Sequence, residues 1–213
     1  VMDAHFKYGT VDMIDLNNVD VSNLRMGEPQ AMAGKASYEY ILTAVKLALE
    51  GKIHAITSAP LSKEALHLAG YKFPGHTEIL AHLTGTQDYA MMFIAGRLRT
   101  ILVTTHVSLR GVCDLITRER ILKTILLADE MLRSLGIGKP RIAVAGLNPH
   151  ASEGGLFGRE DLDQVKPAIE DAKKMGIDAS GPYPSDTVFY RATRDEFDIV
   201  VAMYHDQGCI PIK

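Results

Sequence analysis

The chain contains no tryptophan, and its only two cysteines, Cys113 and Cys209, are far apart, with no CxxC or zinc-ribbon spacing. That excludes a disulfide-stapled scaffold and a cysteine-built metal centre, and it fits a reducing, cytoplasmic setting. Basic residues are not in excess. The 23 Lys and Arg against 26 Asp and Glu leave a net charge of -3, a poor match for nucleic acid. No apolar run is long enough to span a bilayer, and the opening "VMDAHFKYGT" lacks the basic and apolar regions of a secretion signal. The phosphate-binding fingerprints GxGxxG and GxxxxGK[ST] are missing, as are internal repeats and low-complexity tracts.

What remains is an ordinary apolar content of 46% in 213 residues, enough for one large or two small domains with a substantial core. Short β-branched or apolar runs alternate with longer helical patterns, which predicts an α/β architecture with mixed or parallel strands. Strands are expected over 54–60 ("HAITSAP"), 91–96, 99–106, 141–148 and 197–205. Helices are expected over 37–51, 76–85, 117–136 and 159–176. Gly51, Gly85, Gly136 and Gly176 suit helix C-termini, and Thr117 suits an N-cap. The first 35 residues have a weaker strand-and-loop character and carry no readable chemistry.

Three of the eight histidines, His106, His150 and His205, each follow an apolar run. The carboxyl ends of neighbouring parallel strands meet at one crevice, where ligands bind. Three imidazoles delivered there could hold one divalent metal and leave a coordination position open. A dyad or an anion site without metal is also compatible with the spacing, as is a hydrogen-bonded structural role for each, with the metal reading somewhat favoured. A fourth, His76 in "FPGHTE", stands with Thr77 at a helix start. Backbone N–H groups there attract a phosphate or carboxylate, and the alternative is that Thr77 simply caps the helix.

Six segments, "SAPLSKEAL", "FPGHTE", "TTHVSL", "GLNPHASEGG", "GPYPSDTVF" and "YHDQGCIPIK", occur in this order. Together they resemble the 4-hydroxythreonine-4-phosphate dehydrogenase family, from about residue 37 to the last. The resemblance implies a fold like the isocitrate and isopropylmalate dehydrogenases, with two α/β/α domains and an active-site cleft between them. It also implies a homodimer with the active site at the interface. It assigns His106, His150 and His205 as metal ligands, one contributed across the dimer, and His76, Thr77 and Lys213 as substrate-binding residues. Asp186, Asp206 and Lys213 fall to the catalytic group. The metal is expected to be zinc, with magnesium, manganese or cobalt as substitutes.

The activity implied is NAD- or NADP-dependent oxidation, with decarboxylation, of a phosphorylated hydroxy acid: 4-phosphooxy-L-threonine in pyridoxal phosphate biosynthesis. The alternative is the D-threonate or D-erythronate 4-phosphate dehydrogenase branch, and a weaker one is a non-catalytic fragment that binds metal or phosphoester. No nucleic acid or membrane partner is expected.

Two features depart from the family. A glycine- and proline-rich opening segment of the kind "GDPAGIGPE" is missing, and the chain stops at Lys213, so the resemblance implies an internal portion of a longer protein. Cofactor-binding residues are therefore expected beyond Lys213, and none is assigned. Ser152 stands where the family commonly has glycine, and "HVSLR" lacks a proline more often found in the pyridoxal branch.

Overall fold

The computed structural model describes residues 4–213, and the chain divides after Gln87 into two units. In the first, helices α1 (Ala31–Leu49), α2 (Lys63–Leu68) and α3 (His76–Thr84) enclose a small core of Ile41, Val45, Leu66 and Ile79. The Ser62 hydroxyl accepts from the Ala65 N–H to cap α2, and Gly85 ends α3 with a left-handed φ of 67°. α1 and α2 meet backbone to backbone at Gly34. A Cβ there would lie 1.9 Å from the Ala65 carbonyl oxygen, so the approach requires glycine.

The expected strand over 54–60 is not formed. Among the described residues of this unit there is no strand, and "HAITSAP" runs as irregular chain. Its β-branched residues favour a pleated ribbon, but a strand needs a ladder partner for its backbone groups, and the described residues supply none.

The second unit is built on a five-stranded sheet of β1 (Met92–Ala95), β2 (Leu98–Leu102), β3 (Ile142–Ala145), β4 (Ala179–Tyr183) and β5 (Ile199–Ala202). Their spatial order is β1-β2-β5-β3-β4. Only β1 is antiparallel to its neighbour. α4 (Leu109–Leu115) and α5 (Arg118–Ser134) follow β2, and α6 (Lys166–Lys174) follows β3. α7 (Ser185–Thr193) follows β4, and the short α8 (His205–Cys209) follows β5. Thr117 caps α5 by accepting from the Arg120 N–H, and Gly136 and Gly176 take positive φ after α5 and α6, as the sequence predicts.

The period of two along the central strands sorts the core into two layers. Ile142, Val144, Ile199 and Val201 pack with Ile121, Ile125 and Leu132 of α5 and Ile169 of α6. Ala143, Ala145, Val200 and Ala202 face Val188, Phe189 and Ala192 of α7 and Cys209 of α8. This unit is therefore an α/β/α sandwich. Its connections step outward from β2 to β3 to β4 under α5 and α6, then return to β5 under α7, and the change of direction places α7 on the opposite face.

Candidate active site

β2, β5, β3 and β4 lie side by side and run in the same direction, so the loops that leave them emerge at one edge of the sheet. Those four loops carry His106, the pair His205 and Asp206, His150, and Asp186, in that spatial order. The β2 and β5 ladder continues past the strands: Val103 N–H donates to the Ala202 carbonyl at 2.9 Å, and Thr104 Oγ1 donates to the Met203 carbonyl at 2.8 Å. That shared register brings the His106 and His205 rings together, with centroids 5.7 Å apart. His205 Nδ1 lies 3.4 Å from Asp206 Oδ1, and His205 opens α8 directly after Tyr204.

His150 is held differently. From His150 to Gly154 the chain makes a left-handed turn, with φ between 40° and 69°. Each non-glycine residue in that region costs roughly 1–2 kcal/mol, so the turn needs an anchor. The buried Asp161 supplies it. Its carboxylate accepts from Leu147 N–H at 2.7 Å, Asn148 N–H at 3.0 Å and Ser152 Oγ at 2.8 Å. The His150 ring sits against Phe157, with centroids 6.1 Å apart.

In the first unit, the N-cap of α3 is Gly75, and no side chain caps the helix. Thr77 is thus not the cap, and the first-turn N–H groups beside His76 and Thr77 keep their attraction for an anion. His76 also borders a cavity of about 330 Å³, lined in part by Ser37, Tyr40, Thr57, Ser58 and Leu80. Lys213 is exposed. Cys209 before it is buried and Ile212 packs on the α7 side of the core, but no burial obliges the ammonium to find an anion.

The donor set suits a divalent ion in kind: two imidazoles face each other across adjacent loops, and a third lies on the same sheet edge. Among the described residues, however, no group of three or more His, Cys, Asp or Glu side chains closes on one point. His106 and His205 are brought together, and His150 stands outside the pair.

The sequence reading missed the groups that hold these loops, Asp161 and Gln207. An uncharged amide between "HD" and "G" gives little sign of its role until its partners are seen. The acidic residue that anchors the His150 turn lies nine positions after Ser152 and looks like any helix-start aspartate.

A family model described as pyridoxal phosphate biosynthetic protein PdxA matches residues 2–213. The chain belongs to this family. The match takes in the opening residues that carried no readable chemistry in the sequence. The D-threonate 4-phosphate dehydrogenase of Pectobacterium atrosepticum is 49% identical over 211 residues, covering 99% of this chain and 65% of that protein. Among solved structures, a 4-hydroxythreonine-4-phosphate dehydrogenase from Klebsiella pneumoniae superposes with a TM-score of 0.95 at 50% identity, over 99% of this chain and 63% of its own. Another of that name from Burkholderia phymatum gives 0.89 at 48% identity, over 99% of this chain and 64% of its own. The chain thus spans just under two thirds of the length of the PdxA relatives it matches.

Proposed function

We propose that this protein is a nicotinamide-dependent dehydrogenase that oxidises a 4-phosphorylated 3-hydroxy acid, with decarboxylation of the product. The observation that carries the reading is the delivery of His106, His205, His150 and Asp186 to one sheet edge, in a chain about half identical to dehydrogenases of such substrates. A divalent ion, zinc foremost, would supply polarisation of the substrate hydroxyl when bound, and NAD or NADP would supply the hydride acceptor.

His106 and His205 would hold that ion within one chain. His150 is the third donor, and its separation from the pair suits an arrangement in which one ligand crosses a homodimer. Asp206, beside His205, orients its imidazole, and Asp186, exposed on the same sheet edge, takes the hydroxyl proton. His76 and Thr77 bind the phosphate ester with the first-turn N–H groups of α3, and Lys213 binds an anionic oxygen of the substrate.

Two substrates share this chemistry. The curated relative's name favours D-threonate 4-phosphate, and the names of the solved structures favour 4-phosphooxy-L-threonine. The full-length protein, including the cofactor-binding residues expected beyond Lys213, is to be supplied with zinc, NAD or NADP and each substrate in turn, with reduced nicotinamide followed by absorbance. Preferential turnover of one assigns the substrate, and turnover of neither overturns the activity. His205→Ala is expected to lower bound zinc in elemental analysis, and unchanged zinc content would remove His205 from the ligand set.

A further inference from the structure

We propose that Gln207 is a positioning residue which fixes the three loops bearing His205, His150 and Asp186 relative to one another, an inference that rests on the site proposed above. Its side chain is buried, at 8% exposure, and every bond it makes reaches one of those loops. Nε2 donates to the Gly146 carbonyl at 2.7 Å and to Ser185 Oγ at 2.8 Å, and Oε1 accepts the Met203 N–H at 2.5 Å. The amide can face only this way, because the Gly146 carbonyl solely accepts and the Met203 N–H solely donates. Ser185 Oγ in turn donates to the same Gly146 carbonyl at 2.8 Å, and the Gly146 N–H donates to the Tyr183 carbonyl at 2.7 Å.

These bonds begin where the ladders end. β3 stops at Ala145, β4 at Tyr183 and β5 at Ala202, so beyond those residues this network ties the β3, β4 and β5 loops. Gly146 extends the tie to the His150 turn, since a Cβ on it would lie 2.9 Å from the Ala151 Cα. Gln207 is two residues from His205, Ser185 is next to Asp186, and Gly146 packs on the turn that carries His150. A side chain that met only the needs of the core would not require two donors and an acceptor directed at three separate loops. Partners bonded directly to metal-binding side chains commonly change affinity by about 10–100-fold when removed; Gln207 acts on the loops rather than on an imidazole, so the low end of that range is expected.

The test is amide hydrogen exchange and zinc titration on the wild type, Gln207→Met and Ser185→Ala. Gln207→Met keeps the bulk and removes all three bonds, and Ser185→Ala removes one partner and keeps the amide's other two. Exchange over 147–153, 186–188 and 203–206 should quicken by about 10-fold or more in Gln207→Met, less in Ser185→Ala, and remain unchanged in α5. Zinc affinity should fall about 10-fold or more in Gln207→Met. If Gln207→Met loses protection in α5 as well, Ser185→Ala decides alone, and loops as protected as in the wild type overturn the proposal. Faster loop exchange with zinc affinity unaltered also overturns it, reducing Gln207 to a local staple. A wild type that binds no zinc counts against the metal reading alone, and the exchange pattern then decides the role of Gln207.

Discussion

Ser152 has a φ of 69° in a position that favours glycine, and its hydroxyl donates to the buried Asp161 at 2.8 Å. The two facts compensate each other: the bond offsets the strain of a side chain in the left-handed region. Ser152→Ala keeps the strain and leaves an acceptor short of a donor, so it should lower unfolding free energy by about 1–3 kcal/mol in urea titration. Ser152→Gly loses the same bond but relieves about 1 kcal/mol of strain, so it should fall between wild type and alanine. A glycine variant weaker than the alanine variant would contradict this account. Acid sensitivity has a separate source. Asp198 accepts from Arg141 Nε at 3.1 Å, Nη2 at 2.9 Å and the Arg141 backbone N–H at 2.8 Å, and the guanidinium bonds hold its carboxyl below the usual carboxylate range. Because the folded value is depressed, the stabilisation is present above the unfolded value of about 3.9 and is lost as pH falls through the folded one. In a urea series, the gap between wild type and Asp198→Asn should close below about pH 4. At this scale the sequence showed which side chains stand at strand ends, because an apolar run followed by histidine is a local pattern. It could not show what holds them, because Ser152 with Asp161, and Gln207 with Gly146 and Ser185, are paired by the fold.

Elements behaved as their local signals suggested where those signals were strong. The long patterns gave α3 and α5 almost to the residue; β1, β3 and β5 lie within the runs expected for them, and β2 begins one residue earlier, at Leu98. β4 was missed because its "ASGPY" carries glycine and proline, which argue against a strand. They are admitted here because β4 is an edge, with β3 as its single neighbour. α1 begins at Ala31, earlier than its apolar periodicity suggests, because Gly34 and Ala36 are buried by small size rather than by apolar bulk. Gly34 also gives a test in which two effects oppose each other. Helix propensity alone would make Gly34→Ala stabilising by about 1 kcal/mol. The added Cβ would instead press on the Ala65 backbone, 1.9 Å from its oxygen, and backbone cannot rotate out of the way. Overpacking of this kind costs about 3 kcal/mol, so the variant should be less stable than wild type by thermal unfolding, and a raised melting temperature would show that α1 and α2 can separate freely.

For the whole molecule, the α/β class and the delivery of His106, His150 and His205 to one sheet edge of the second unit were legible, and the missing strand of the first unit was not, since the described residues hold no ladder for it. No helix among the described residues is long and apolar enough to cross a membrane. The sheet order has a consequence for the time course of folding. β5, last in sequence of these five strands, lies between β2 and β3, pairing Thr100 with Val200 and Ile142 with Ile199. Until the ribosome has released β5, β2 and β3 are both exposed as unpaired edges, and no earlier strand bridges them. Closure of such distant contacts is slow, and its intermediates are prone to association. A chain ending at Asp198 should therefore be protease-sensitive across β2 and β3 even though α5 and α6 are complete, whereas one extended through Cys209 should be protected. The segment that brings the His205 loop is thus also the one whose arrival closes the sheet, so β2 and β3 stay apart until the loop proposed to carry part of the site has been made.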